Sequence, residues 1–385
     1  MPISRLLFVA VAPLAVATLV GLALLWPRGD DPVRSESLGP AAELVDAVVV
    51  TDLRVPCEGT PSQVASACHF TTVRITAGID KGIERTLEMF EGPGQPTLKA
   101  GDRIVLGRTS DAGGVEYYFA DFQRRTPLVW LGLLFAVVVV AVGRIRGLAA
   151  LAGLVVTFLL LIEFVLPAVL EGSNPLAVAI VGSAAMMFVL LYLAHGVNAQ
   201  TTTALLGTLV SLVITGLLAA LFVEVGRLVS VGTEETAFLQ VSAAQVNLEG
   251  LLLGSIIIGS LGVLNDVTVT QASAVWTLRA ADPGSGARSL YRSAMRIGRD
   301  HIASTVDTLV LAYAGASLPL LLLFTLASRP LGDVISGELV SQEIVRTLVG
   351  GIGLAASVPI TTGLAAVVVS RADTAPPPAI DVEPA

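Results

Sequence analysis

Eight stretches of this chain, each 17 to 26 residues long, are almost unbroken in apolar character. As helices, each would cross the roughly 30 Å of hydrocarbon in a bilayer. They are residues 6–26, 127–143, 147–170, 175–195, 203–223, 250–275, 302–327 and 347–370. A soluble core cannot hide so much apolar surface: 54% of the 385 residues are hydrophobic, only 14% are charged, and the charges gather between the stretches. The pattern predicts an all-α polytopic membrane bundle of about eight transmembrane helices. The net charge of -8, with no concentrated basic face, argues against nucleic acid as a partner.

The first stretch follows Met1–Arg5 and resembles a signal peptide, but its apolar run is long and no small-residue cleavage site follows Trp26. It reads as an uncleaved anchor over 1–27. Arginine sets the expected orientation. Arg144, Arg146, Arg279, Arg288, Arg292, Arg296, Arg299 and Arg371 fall on one side of the bundle, which the positive-inside rule makes cytoplasmic. Both termini are then cytoplasmic and residues 28–126 lie outside. Arg124 and Arg125 oppose this count, but they follow a long domain, where charge is a weak determinant. The bundle proper is 127–371, seven of the eight helices, and 372–385 reads as a disordered cytoplasmic tail.

Residues 28–126 hold five short runs rich in β-branched and aromatic residues: Val48–Val55, Phe70–Ile75, Glu84–Phe90, Arg103–Gly107 and Val115–Ala120. Gly, Pro and Asp turns separate them, which predicts a small all-β domain, OB-like or another small barrel. Both cysteines of the chain, Cys57 and Cys68, lie in it, in a compartment the topology makes oxidising, so a disulfide is expected; two free buried thiols are the alternative.

The sequence lacks GxxxxGK[ST], GxGxxG after a strand, HExxH and GxSxG, and His69, His195 and His301 form no i, i+3 or i, i+4 ligand pair. No catalytic residue, metal ligand or cofactor is therefore expected, and the chain does not read as an enzyme. The chemistry that stands out is polar residues inside apolar spans, where ionisable groups are costly and commonly functional. The sixth span carries Asn265, Asp266, Thr268, Thr270, Gln271 and Ser273, and the i, i+4, i+7 spacing puts Asp266, Thr270 and Ser273 on one face. The seventh carries Asp307 beside Thr308. Asp266 and Asp307 count to within about one helical turn in depth, so they could line one cavity for an ion or small polar solute. The competing reading is interhelical hydrogen-bond glue. Glu163 lies apart in the third span.

Arg288, Arg292, Arg296 and Arg299 lie on a basic amphipathic helix, with Leu290, Ala294 and Ile297 on another stripe, which reads as a cytoplasmic anchor on anionic lipid; a phosphate or nucleotide site is the sharper alternative. Gly254, Ser255, Gly259, Gly262, Gly350, Gly351 and Gly353 read as close-packing positions. No inverted repeat aligns spans two to four with five to eight.

The segments GDRIVLG, YYFADFQRR, LYLAHGVNAQTTTALLGTL, GVLNDVTVTQASAV, RIGRDHIASTVDTLVLAYAGASLPLLLLF and EIVRTLVGGIGLAASVPITT, in that order, resemble the YibE/F family of bacterial multispanning membrane proteins. The resemblance covers about residues 45–370. It implies a bacterial cytoplasmic membrane and a bundle of this arrangement, and it implies no reaction. On the residues alone the leading expectation is a transporter or permease using buried acids. The alternatives are an envelope interaction or maintenance protein whose outer β domain binds a partner, and an intramembrane lipid enzyme, for which no nucleophile and base stand out. Expected partners are membrane lipids, an ion or small polar solute, and a second copy or another membrane protein.

Overall fold

A computed structural model describes residues 3–29, 43–56, 67–92, 94–111, 114–230, 234–243, 246–326 and 330–372. The chain divides into two compact units, Ser35–Val138 and Met1–Arg34 with Val139–Ala385.

The first unit holds five strands: β1 (Glu43–Val55), β2 (Ala67–Ile75), β3 (Glu84–Glu91), β4 (Arg103–Asp111) and β5 (Gly114–Phe122). All five predicted runs fall inside them. They form one antiparallel sheet in the order β3-β2-β1-β4-β5. Alternation turns Val45, Ala47 and Val49 of β1 inward to meet Val73, Ile75, Leu87, Ile104 and Leu106, with Leu98 packed into the same core. Register shifts at Val49/Thr51 and Val105/Leu106 sharpen the curl. The end strands nearly meet, with the Arg85 guanidinium 5.9 Å from the Tyr117 ring centroid. The result is a nearly closed antiparallel sheet.

The second unit is helical. Its elements are α1 (Ile3–Leu25), most of α2 (Arg125–Leu160) with a π-helical turn (Leu161–Val165) and α3 (Leu166–Leu170), α4 (Pro175–His195), α5 (Ala199–Gly226) and α6 (Glu234–Ser242). Then follow α7 (Leu248–Ala281), α8 (Ala287–Ala316), α9 (Leu318–Leu326), α10 (Leu331–Ile335) and α11 (Glu338–Ala372). Asparagine starts three of the long helices. Asn174 accepts from the Leu176 and Ala177 N–H groups, Asn198 from Thr201 and Asn247 from Gly250.

The count of eight spans is corrected. Among the described residues five helices are long and apolar enough to cross a membrane, or six when α8 and α9, bent by 58°, are taken as one. Two physical reasons account for the difference. Residues 127–143 and 147–170 share one 46-residue helical stretch, Arg125–Leu170, interrupted at Arg144 (φ 52°, ψ −130°). A side chain at Gly147 would strike the Val139 carbonyl, although those residues would stand about 12 Å apart along a straight helix, so the stretch folds back at Arg144. The two predicted spans are its two arms, counted together as one helical stretch. The first predicted anchor contributes only a shorter apolar helix, Val9–Leu25.

The centre of this unit is α5, α7 and α11, with α4 and α8 on its flanks. Gly254 of α7 sits against Ala179 and the Pro175 carbonyl of α4, the close approach predicted for that glycine.

Candidate functional site

Polar side chains fill the seam between α5, α7 and α11. Thr208, Ser211, Thr215, Thr268, Gln271, Ser357, Thr361 and Thr362 are all fully buried, and none is charged. Within the seam two bonds reach α7 from its neighbours: Thr208 and Thr268 share a hydrogen bond of 2.6 Å, and Thr362 donates its hydroxyl to Gln271 Oε1 at 2.9 Å. Ser211, Thr215 and Ser357 donate back to their own helices, at the carbonyls of Gly207, Ser211 and Leu354. The buried atoms without a hydrogen-bond partner among the described residues include Gln271 Nε2, Thr361 Oγ1, Asn265 Oδ1 and Ser183 Oγ. Each such group costs roughly 1 to 3 kcal/mol if nothing satisfies it. The packing leaves little slack, since a Cβ at Gly298 of α8 would come within 2.9 Å of Gln271 Oε1.

The predicted site residues divide between two faces of α7. Gln271 is in the seam and Asn265 turns its unpartnered oxygen inward. Asp266, five residues before Gln271 and so about 140° around the helix, points outward. Its side chain is 65% exposed, with His301 Nε2 of α8 at 3.7 Å. Thr270 and Ser273 line an open groove with Thr277 and Ile297, about 410 Å³ in volume. The shared face of Asp266, Thr270 and Ser273 is therefore an outer face. Asp307 and Thr308 are exposed on α8, and Asp307 makes no hydrogen bond or ion pair among the described residues; Thr308 bonds only the Ser304 carbonyl. Glu163 is exposed as well. The expectation of acids enclosed within the bundle is thus corrected: the enclosed polar groups are hydroxyls and an amide.

Arg288, Arg292, Arg296 and Arg299 are exposed and Leu290 and Ala294 are buried, but Ile297, expected on the apolar stripe, is exposed and Gly298 is buried instead; the segment continues as α8 without a break. Cys57 lies outside the described residues, and Cys68 is buried in β2.

Sequence reasoning passed over two features. Arg346 lies just before the predicted eighth span, 347–370, but α11 is helical from Glu338. Its guanidinium donates to Glu343 at 2.8 Å and to Ser255 of α7 at 3.2 Å. The i, i+3 spacing of Glu343 and Arg346 was the available signal. The second is the polar face of α5, where Thr201, Thr208 and Thr215 recur every seven residues with Ser211 between them. That spacing keeps them on one helical stripe.

On the sheet, Arg108 donates to Asp80 at 2.9 Å and Glu43 at 3.1 Å, and the Tyr117 hydroxyl donates to Asp80. These bonds, from Tyr117 first and Arg108 second, hold the Asp80 carboxyl below its ordinary value. Burial, then the hydrogen bond to Asp80, pushes the Tyr117 hydroxyl up. A second network joins His69 Nδ1 to Asp52 at 2.7 Å, Thr71 to Asp52 at 2.7 Å, and Arg54 to Glu91 at 2.7 Å. Among the described residues no three His, Cys, Asp or Glu side chains converge on one point as metal ligands.

A helical bundle of membrane-compatible apolar helices, preceded by a small antiparallel sheet and organised around an uncharged polar seam, is the class these features define. The YibE/F-like protein family model matches residues 131–371, more than half of the chain, and the chain belongs to that family. The match covers the bundle and leaves the sheet outside it. No curated protein and no solved structure matches the chain.

Proposed function

We propose that this chain is a permease for a small polar solute or ion in the bacterial cytoplasmic membrane, and that its route runs along the α5–α7–α11 seam. One observation carries the reading: Gln271 and Thr361 are fully buried with polar atoms that no protein group satisfies. Interhelical glue uses up its donors and acceptors, whereas these are left over. The arginine distribution supports both termini inside and the sheet outside, with α8's basic stripe on anionic lipid. A reporter after Arg371 should then read cytoplasmic and one near Gly92 external. In this reading the sheet domain is an OB-type barrel on the extracytoplasmic side.

The test contrasts the two faces of α7. Gln271→Leu and Thr361→Val, at normal membrane levels, should fail to restore function in cells lacking the protein, and Asp266→Asn and Asp307→Asn should restore it. Activity in the first pair with loss in the second would move the route to the outer α7–α8 groove. Full activity in all four would sink the permease reading and shift the working part to the outer sheet.

A further inference from the structure

Residues 207–215 of α5 read GTLVSLVIT and residues 353–361 of α11 read GLAASVPIT, so each helix carries Gly-x3-Ser-x3-Thr. The two copies seat on each other in reverse. A side chain at Gly207 would strike Thr361 Oγ1, and one at Gly353 would strike Thr215 Oγ1. Pairing 207 with 361 and 215 with 353 makes the helices antiparallel and brings Ser211 and Ser357 to the same level. Both serines are fully buried, and each lies in the middle third of its helix. A local two-fold axis therefore passes between them, perpendicular to the helices.

We propose, building on the permease reading, that α5 and α11 are an inverted pair. The centre between Ser211 and Ser357 is then the binding site, and it takes a small uncharged solute with both donor and acceptor groups. Three letters recurring in apolar helices would mean little alone. The weight rests on the reciprocal seating, in which each glycine receives the other copy's threonine. An axis in the membrane plane exchanges the two sides of the membrane, so a site on it meets equivalent groups whichever side is open.

The symmetry is broken in one informative place. Thr215 donates to the Ser211 carbonyl, but its counterpart Thr361 donates to nothing. Pro359 sits two residues before Thr361 and has no N–H to give to the Ala355 carbonyl. Gln271 Nε2 is also unpartnered. The seam beside this centre thus holds an unused hydroxyl at Thr361 and an unused amide donor at Gln271, while the Ser211 and Ser357 hydroxyls at the centre bond their own helices. It offers no charge to balance an ion, and an unbalanced buried charge is far more costly than a neutral polar group.

Ser211→Cys and Ser357→Cys test this with little change in size, and Thr215→Cys and Thr361→Cys serve if either fails to reach the membrane. Native membrane vesicles of both orientations are treated with neutral hydroxyethyl methanethiosulfonate, with glutathione on the far side to scavenge reagent that crosses. Unsubstituted protein gives the background of Cys57 and Cys68, and Val213→Cys, on the exposed face of α5, gives the lipid-facing control. Both cysteines should react from either side. After correction for intrinsic reactivity, they should react about tenfold faster or more with the neutral reagent than with its charged analogues. Protection from one side or both overturns the inverted site, and equal rates with a charged analogue overturn the uncharged class. Labelling needs no transport. Protected cysteines together with an inactive Gln271→Leu protein would therefore remove this site and leave the permease reading standing.

Discussion

Inside the bundle Thr208 meets Thr268 and Thr362 meets Gln271; on the sheet Arg108 meets Asp80 and Arg54 meets Glu91. Both regions pair polar groups across neighbouring elements, but one uses neutral groups that are wholly enclosed and the other uses ions that keep contact with water. Burying an ion pair costs several kcal/mol per ion before any attraction is recovered, while a hydroxyl pair risks much less. Water beside the sheet removes most of that cost and most of the gain. The fully buried positions of the seam are hydroxyls and an amide, while the ion pairs, including Arg346 with Glu343 where α11 meets α7, keep part of their side chains exposed. Asp266, Asp307 and Glu163 are likewise exposed and lie outside the seam.

The comparison breaks most visibly if the seam tolerates bulk. Gly207→Leu should destabilise the bundle by about 3 kcal/mol, because the side chain must displace Thr361. Gly262→Leu, where nothing lies within 4 Å, should stay within about 0.5 kcal/mol in the same thermal unfolding assay. On the sheet, a Cys57–Cys68 bridge would contribute about 2 to 4 kcal/mol, lost in the double serine variant. Linked peptides under non-reducing mass spectrometry would establish the bridge, and free thiols in protein from native membranes would refute it. A double-mutant cycle with Thr208→Val and Thr268→Val should give a coupling of about 0.6 kcal/mol, the size usual for hydroxyl pairs between membrane helices. A value near zero would mean the pair is spatial coincidence.

The smallest effect belongs to the sheet's ions. Asp80 titrates lower in the folded sheet than in the unfolded chain, so its contribution is complete above the ordinary carboxylate value of 3.8 and is lost as pH falls through the lower folded value. Hydrogen-exchange protection of β4 and β5 should therefore weaken in that acid range, and Asp80→Asn should flatten the change.

The strands were legible because turn residues bracket each run and alternation is a short-range signal. Positions of apolar helices were legible for the same reason, and their number was not. The reversal at Arg144 was legible, since VGRIRG separates the predicted spans 127–143 and 147–170. Nothing in it announces helix continuing up to and beyond that single residue, and nothing in GASLP announces a 58° bend between α8 and α9. At the site, charge drew attention to Asp266 and Asp307, while helical phase decides which side is enclosed. Counting from Asp266 to Gln271 gives opposite faces, but which of the two is inside depends on where α5 and α11 pack. The threonine stripe of α5 was readable in advance, yet hydroxyls in apolar helices are common enough to pass as packing.

Glu338, at the start of α11, accepts the Val229 and Ser230 N–H groups just beyond α5, and the Gln342 amide from its own helix. At that end a single carboxylate lashes the two helices together, and no comparable side-chain bond joins Ala199 to the far end of α11 among the described residues. A joint fastened at one end swings like scissors. Relative motion of α5 and α11 should be a hinge about Glu338, small beside the fastening and widening toward the opposite tips.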